Sequence, residues 1–106
     1  MDESKQSGDI IGYVGPPELH DGSIVQVQES SQGIKVSVQG DDGKPFVIVF
    51  SGVRNTSSNR PEGMILYGLA EMKEEGPGRK FVFLNWDEKD AAKLEIIATD
   101  FAVVGQ

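Results

Sequence analysis

The sequence predicts a mainly β fold: two successive three-stranded antiparallel meanders, closed as a small sandwich or partly closed barrel, with at most one short helix. Three observations carry this expectation. Residues 34–39 alternate cleanly, with Ile34, Val36 and Val38 on one face and Lys35, Ser37 and Gln39 on the other. The runs Phe46–Phe50 and Phe81–Leu84 are apolar on both faces, as buried central strands are. Clusters of Gly, Asp and Pro punctuate the apolar runs where turns are needed.

Along the chain, residues 1–9 are polar and are expected to be a flexible N-terminus, leaving 10–106 as a single β-rich domain. Ile10, Ile11, Tyr13 and Val14 form a brief apolar stretch, the expected edge strand, stopped by Gly15, Pro16 and Pro17. Val25 and Val27 alternate with Gln26 and Gln28, a half-buried strand entered through the turn Leu19, His20, Asp21, Gly22. Gly40, Asp41, Asp42 and Gly43 tolerate positive φ and predict a hairpin joining 34–39 to 46–50. Arg54–Arg60 contains no apolar residue and is read as a polar loop dividing the chain into halves.

Residues 61–75 admit two readings. Pro61 and Gly76 fit the ends of a helix with Ile65, Leu69 and Met72 on one face. Gly63 and Gly68 would cost such a helix about 2 kcal/mol in propensity, and Met64, Leu66, Ala70 and Met72 also alternate as in a strand, which is the preferred reading. Gly76, Pro77 and Gly78 make a turn, and Trp86–Ala92 reads as a charged loop or single helical turn. A last strand is expected from about Leu94 to Val104, with a bulge or bend within it, because Ile96 and Ile97 are adjacent before Phe101 and Val103.

Composition narrows the functional classes. The 106 residues suit one domain, and 38% hydrophobic residues suffice for one core. Seventeen acidic against ten basic residues give a net charge of −7, which repels phosphate backbones and anionic lipid, so neither nucleic acid nor membrane is an expected partner. The plainer reading of this charge is solubility, a magnitude usual for a small soluble domain; the sharper one is an acidic face that meets a basic protein. The chain has no cysteine, so neither disulfides nor thiolate metal sites are available. The segment Met1–Gly8 lacks the apolar core of a signal peptide, and no apolar run reaches the roughly 18 residues of a membrane span, so a cytoplasmic location is expected.

No catalytic residue, cofactor or metal site is assigned. His20 is the only histidine; beside Asp21 it reads chiefly as a turn residue whose ring bonds neighbouring backbone. Asn85, Asp87, Glu88 and Asp90 could be written as calcium ligands, but the calcium-loop spacing and its mid-loop glycine are missing. Two site hypotheses remain. Trp86 at a strand end, with Asp87, Glu88 and Asp90, would meet a partner protein across a contiguous acidic patch. Alternatively, Tyr67, Glu71, Glu95 and His20 would line a small-ligand or enzymatic pocket between the sheets, Glu71 and Glu95 being acids that interrupt apolar strands. Either carboxylate also has a plainer reading, with Arg79 or Lys80 placed to pair across to Glu71. The chain is expected to be a monomer, or a homodimer if its doubly apolar strands have more surface to hide than one chain covers.

The segments Leu19-His20-Asp21-Gly22-Ser23-Ile24, Phe50-Ser51-Gly52-Val53 and Leu94-Glu95-Ile96-Ile97-Ala98 resemble uncharacterised small bacterial β domains, some of which look like immunity proteins of toxin systems. The resemblance touches most of residues 19–103 through short structural motifs. It implies a non-enzymatic inhibitor that binds a partner, and it transfers no catalytic residue.

Overall fold

Period-two alternation and β-branched residues give strands, and each strand buries the face its apolar residues share. The computed structural model describes residues 10–87 and 89–105. The expected flexible segment 1–9 and Glu88 lie outside them. The strands are β1 (Ile10–Val14), β2 (Ser23–Ser30), β3 (Gly33–Gln39), β4 (Pro45–Ser51), β5 (Asn55–Asn59), β6 (Leu66–Met72), β7 (Arg79–Asn85), β8 (Lys93–Ala98) and β9 (Asp100–Val104). The only helical piece among the described residues is a 3₁₀ turn at Pro17–Leu19, and no helix is long and apolar enough to cross a membrane.

Two antiparallel sheets result, one of five strands in the order β1-β6-β7-β8-β5 and one of four in the order β2-β3-β4-β9; they do not close into a barrel. The two expected meanders are their centres, β2-β3-β4 and β6-β7-β8. The hairpin at Gly40–Gly43 pairs Val36 with Ile48 and Val38 with Phe46. Residues 66–72 are strand, as preferred over the helix.

Two expectations need correction. The polar segment 54–60 is not a loop: Asn55–Asn59 pairs with β8, setting Thr56 opposite Ile96 and Ser58 opposite Leu94. An edge strand can be wholly polar because it contributes ladder hydrogen bonds rather than a buried face, and Asn55 Oδ1 accepts the Thr56 N–H at 2.9 Å. The closing strand is two strands in different sheets. The chain leaves the five-stranded sheet at Ala98, and Thr99 donates its N–H to the carbonyls of Ser51 (3.0 Å) and Gly52 (3.1 Å) before β9 joins β4. Of the bulge or bend expected within this stretch, the structure has the break at Thr99; Ile96 and Ile97 themselves alternate regularly, Ile96 buried and Ile97 half-buried.

Between the sheets lie Val36, Ile48 and Phe50 from one side and Leu69, Phe81, Phe83 and Ile96 from the other, all buried. The Phe50 ring centroid is 5.3 Å from Phe81, 5.9 Å from Phe83 and 6.1 Å from Phe101, so one side chain joins both sheets. Burying each such ring contributes about 1.5–3 kcal/mol. The opposite faces of the two central strands, at Val47, Val49, Val82 and Leu84, are half-buried by their neighbours within the sheet.

Candidate functional site

The chain's one proline pair builds the base of the site. β1 ends at Val14, and the next residue is Gly15, whose φ of +86° suits glycine and whose missing side chain leaves room for Leu19. Pro16 is extended, and Pro17 starts the 3₁₀ turn where its absent N–H costs nothing. The turn closes through Leu19 N–H to Pro16 O and His20 N–H to Pro17 O, both 3.1 Å, and buries Leu19. Asp21 then adopts φ +71° and donates its N–H to Leu66 O at 2.8 Å, stitching the turn to the start of β6.

This stitch sets His20 against Tyr67. His20 Nδ1 lies 2.8 Å from Tyr67 O, and since a carbonyl only accepts, Nδ1 carries the proton and Nε2 keeps its lone pair when the ring is neutral. Nε2 faces Asp21 Oδ1 at 3.9 Å. The same carboxylate oxygen accepts the indole N–H of Trp86.

Four exposed rings therefore form one continuous surface. Tyr67 is 5.2 Å from His20 and 5.5 Å from Trp86, nearly perpendicular to the latter at 88°; His20 and Trp86 are 5.7 Å apart. Tyr13 on β1 completes the row, 6.3 Å from Tyr67 at 64°. Tyr13 is 60%, Tyr67 43% and Trp86 47% exposed, a large aromatic area for a fold that otherwise hides its rings. Beside it opens a pocket of about 250 Å³ with Tyr13, Tyr67, His20, Pro16 and Pro17 as walls and Leu69 among its apolar lining. That volume falls below the roughly 300–1,000 Å³ of drug-sized ligand sites and suits a single side chain.

Of the ligand residues expected from the sequence, only His20 and Tyr67 meet. Glu71 and Glu95 lie on opposite faces of the five-stranded sheet, Glu71 across from the buried Phe81 and Glu95 across from Val82. Each has a cationic partner instead: Arg79 grips Glu71, and Lys80 Nζ lies 3.9 Å from Glu95. Hydrogen bonds from Arg79 hold the Glu71 carboxyl below the usual carboxylate range, against the opposing effect of burial. The expected pocket between the sheets is replaced by the packed phenylalanines, and the open pocket sits at the end of one sheet.

Of the expected partner residues, Trp86 is exposed as anticipated, while the acids beside it serve the loop. Asp87 Oδ1 accepts the Lys89 N–H at 3.0 Å and Asp90 Oδ1 the Ala92 N–H at 3.3 Å. Asn85 ties the loop from within, its Oδ1 accepting the Asp87 N–H and its amide donating to Asp90 and to Ala92 O. The bond from Asn85, then that from the Ala92 N–H, lowers the Asp90 pKa. Asp90 also lies 4.0 Å from Arg60, so a basic side chain interrupts the acidic patch anticipated there. Glu88 is outside the described residues. Among the described residues no three His, Cys, Asp or Glu side chains gather as a metal site.

Sequence reasoning missed Tyr13 and the proline pair. The available signal was a tyrosine in a short apolar edge run ending in Gly-Pro-Pro, a stretch whose side chains have little interior to fill. Comparison with models of known protein families, with curated proteins and with solved structures finds no match.

Proposed function

We propose that this chain is a non-enzymatic interaction module that engages a basic protein through the surface formed by Tyr13, His20, Tyr67 and Trp86. The observation that carries the reading is the unbroken contact of four exposed rings drawn from β1, the 3₁₀ turn, β6 and the end of β7. Tryptophan and tyrosine dominate binding hot spots because they bury much area while few torsions are frozen. A net charge of −7 accelerates encounter with a cationic partner. The pocket's side-chain size favours a protein over a free small ligand. The finer reading is an immunity-type inhibitor acting in the cytoplasm, supported by the resemblance of residues 19–24, 50–53 and 94–98 and by the absence of cysteine.

A photo-crosslinking amino acid at position 13 tests this in the native host, with the exposed Gln28 on β2 as the control position. The expected result is a protein adduct from position 13, net basic in composition, that is lost in Trp86→Ala and weakened by salt. Absence of an adduct at position 13, or the same adducts from position 28, would overturn the proposal.

A further inference from the structure

The geometry points to a specific class of ligand at this surface: an extended, proline-containing segment in polyproline II conformation, carrying an arginine or lysine three residues from the proline. The inference rests on the interaction reading above and adds which segment of a partner is held.

The pocket beside Tyr13 and Tyr67 selects the proline. These two rings pack edge to face, centroids 6.3 Å apart at 64°, Gly68 leaves space beside the Tyr13 ring, and Pro16 and Pro17 form the far wall. The cavity is small and lined mainly by apolar groups, so it rewards a compact ring rather than a polar or long chain. Polyproline II peptides dock in aromatic-lined grooves of this kind because they are extended before binding and lose little entropy.

The other end of the row selects the cation. Beyond Tyr67 lies Trp86, the best of the side-chain rings for a cation, with the Asp21 carboxylate at its indole nitrogen and Glu18 on the adjoining turn. No lysine or arginine is among the residues lining the pocket. An arginine here gains the indole face and a carboxylate together, in a protein whose whole field is negative.

Spacing joins the two ends. One turn of polyproline II covers three residues and about 9 Å. The ring row from Tyr13 across Tyr67 to Trp86 advances by centroid steps of 6.3 and 5.5 Å. These steps bound the Tyr13–Trp86 separation at about 12 Å, a span that one turn of polyproline II fits, with a proline at the pocket and a cation three residues on at Trp86.

Trp86 is the chain's only tryptophan, so its fluorescence reads the site directly. The probe is a synthetic peptide of two Pro-Ala-Ala-Arg repeats, titrated beside one with both prolines replaced by alanine and one with both arginines replaced by glutamine. The inference expects a saturable change in Trp86 emission with the parent peptide and at least about tenfold weaker binding for each control, about 1.4 kcal/mol. Tyr67→Ala and Tyr13→Ala, both at exposed positions, should weaken it comparably with unchanged thermal unfolding midpoints. No saturable change, or equal binding of the proline-free peptide, overturns the inference. Position 13 yielding a basic partner while the peptides fail leaves the interaction reading standing and removes this one; no adduct at position 13 removes the reading beneath it.

Discussion

Arg79 holds the Glu71 carboxylate with two parallel hydrogen bonds, Nε to Oε2 at 3.0 Å and Nη2 to Oε1 at 2.9 Å. The guanidinium also reaches Asp100 through Nη1 at 2.8 Å and lies 5.1 Å from the Phe81 ring centroid and 5.7 Å from that of Phe101. It thus closes one end of the sandwich, linking the five-stranded sheet to the first residue of β9.

The pair makes stability depend on acid. Glu71 is only 15% exposed, and its carboxyl is held below the ordinary value, so the contribution is present above the pKa of glutamate in the unfolded chain and is lost as pH falls through the folded pKa. Glu71→Gln should cost about 1–2 kcal/mol at pH 7, given a partner that is 39% exposed, and the gap from wild type should shrink as pH drops below about 4. Urea midpoints of both proteins at pH 7 and pH 3 decide it. A gap that stays constant would show that the ion pair contributes nothing.

Phe50 is the side chain both sheets share. Phe50→Ala should destabilise by about 3–5 kcal/mol, since the ring is fully buried and its loss leaves a cavity facing three other aromatic rings. Chemical denaturation with unchanged m-value would confirm a loss of stability alone; a cost under about 1 kcal/mol would mean that the core collapses around the gap.

Gly52 precedes the crossing of the chain from one sheet to the other. It holds φ +64°, and a Cβ there would lie 2.7 Å from the Thr99 Cβ. Gly52→Ala is expected to cost about 2 kcal/mol or more, and Thr99→Gly in the same chain should recover the steric part while leaving the backbone strain. Thermal unfolding of the single and double variants separates the two.

Asn85 governs how Trp86 is presented. Asn85→Ala removes one acceptor and two donors from the 85–92 loop and should cost about 1–2 kcal/mol. Amide hydrogen exchange should rise at Asp87 and Lys89, with protection of β3 and β4 reduced only by the global loss. Uniform change across the chain would show instead that the loop unfolds only with the whole domain.

How much of this was legible depends on what each residue type must do. Val36 and Ile48 announced their strands because a half-buried ladder demands period two, and Phe46–Phe50 its interior place in a sheet because both its faces are apolar, although only the Phe46, Ile48 and Phe50 face is buried. Asn55–Asn59 carried no such signal: hydrogen bonding to β8 leaves no trace in hydropathy. The change of sheet at Thr99 was legible only as a break in rhythm: the apolar positions shift phase between Ala98 and Phe101, which marks a bulge or bend but not that the chain changes sheet there. A cation for Glu71 was readable, as Arg79 or Lys80, because the chain returns beside it; Phe81 stands directly opposite and Arg79 reaches it diagonally. The ring surface was readable only in part: Trp86 stood out at a strand end, but Tyr13 and Tyr67 lie far apart in sequence and meet through the pairing of β1 with β6.

The order in which the strands are made differs from the order in which they pair. When synthesis has passed Ser51, β2, β3 and β4 can form their meander, but the second edge of β4 stays bare until Asp100–Val104 is made, because β9 is its partner there. At elongation rates of about 5–20 residues per second, the intervening residues 52–99 take about 2–10 s. For that interval a nascent chain displays the strand Phe46-Val47-Ile48-Val49-Phe50 with one side unpaired, its most adhesive segment at its most vulnerable moment. Crowded ribosomes on one message would bring such edges together, and the last strand ends that exposure by occupying the place a neighbouring chain would take.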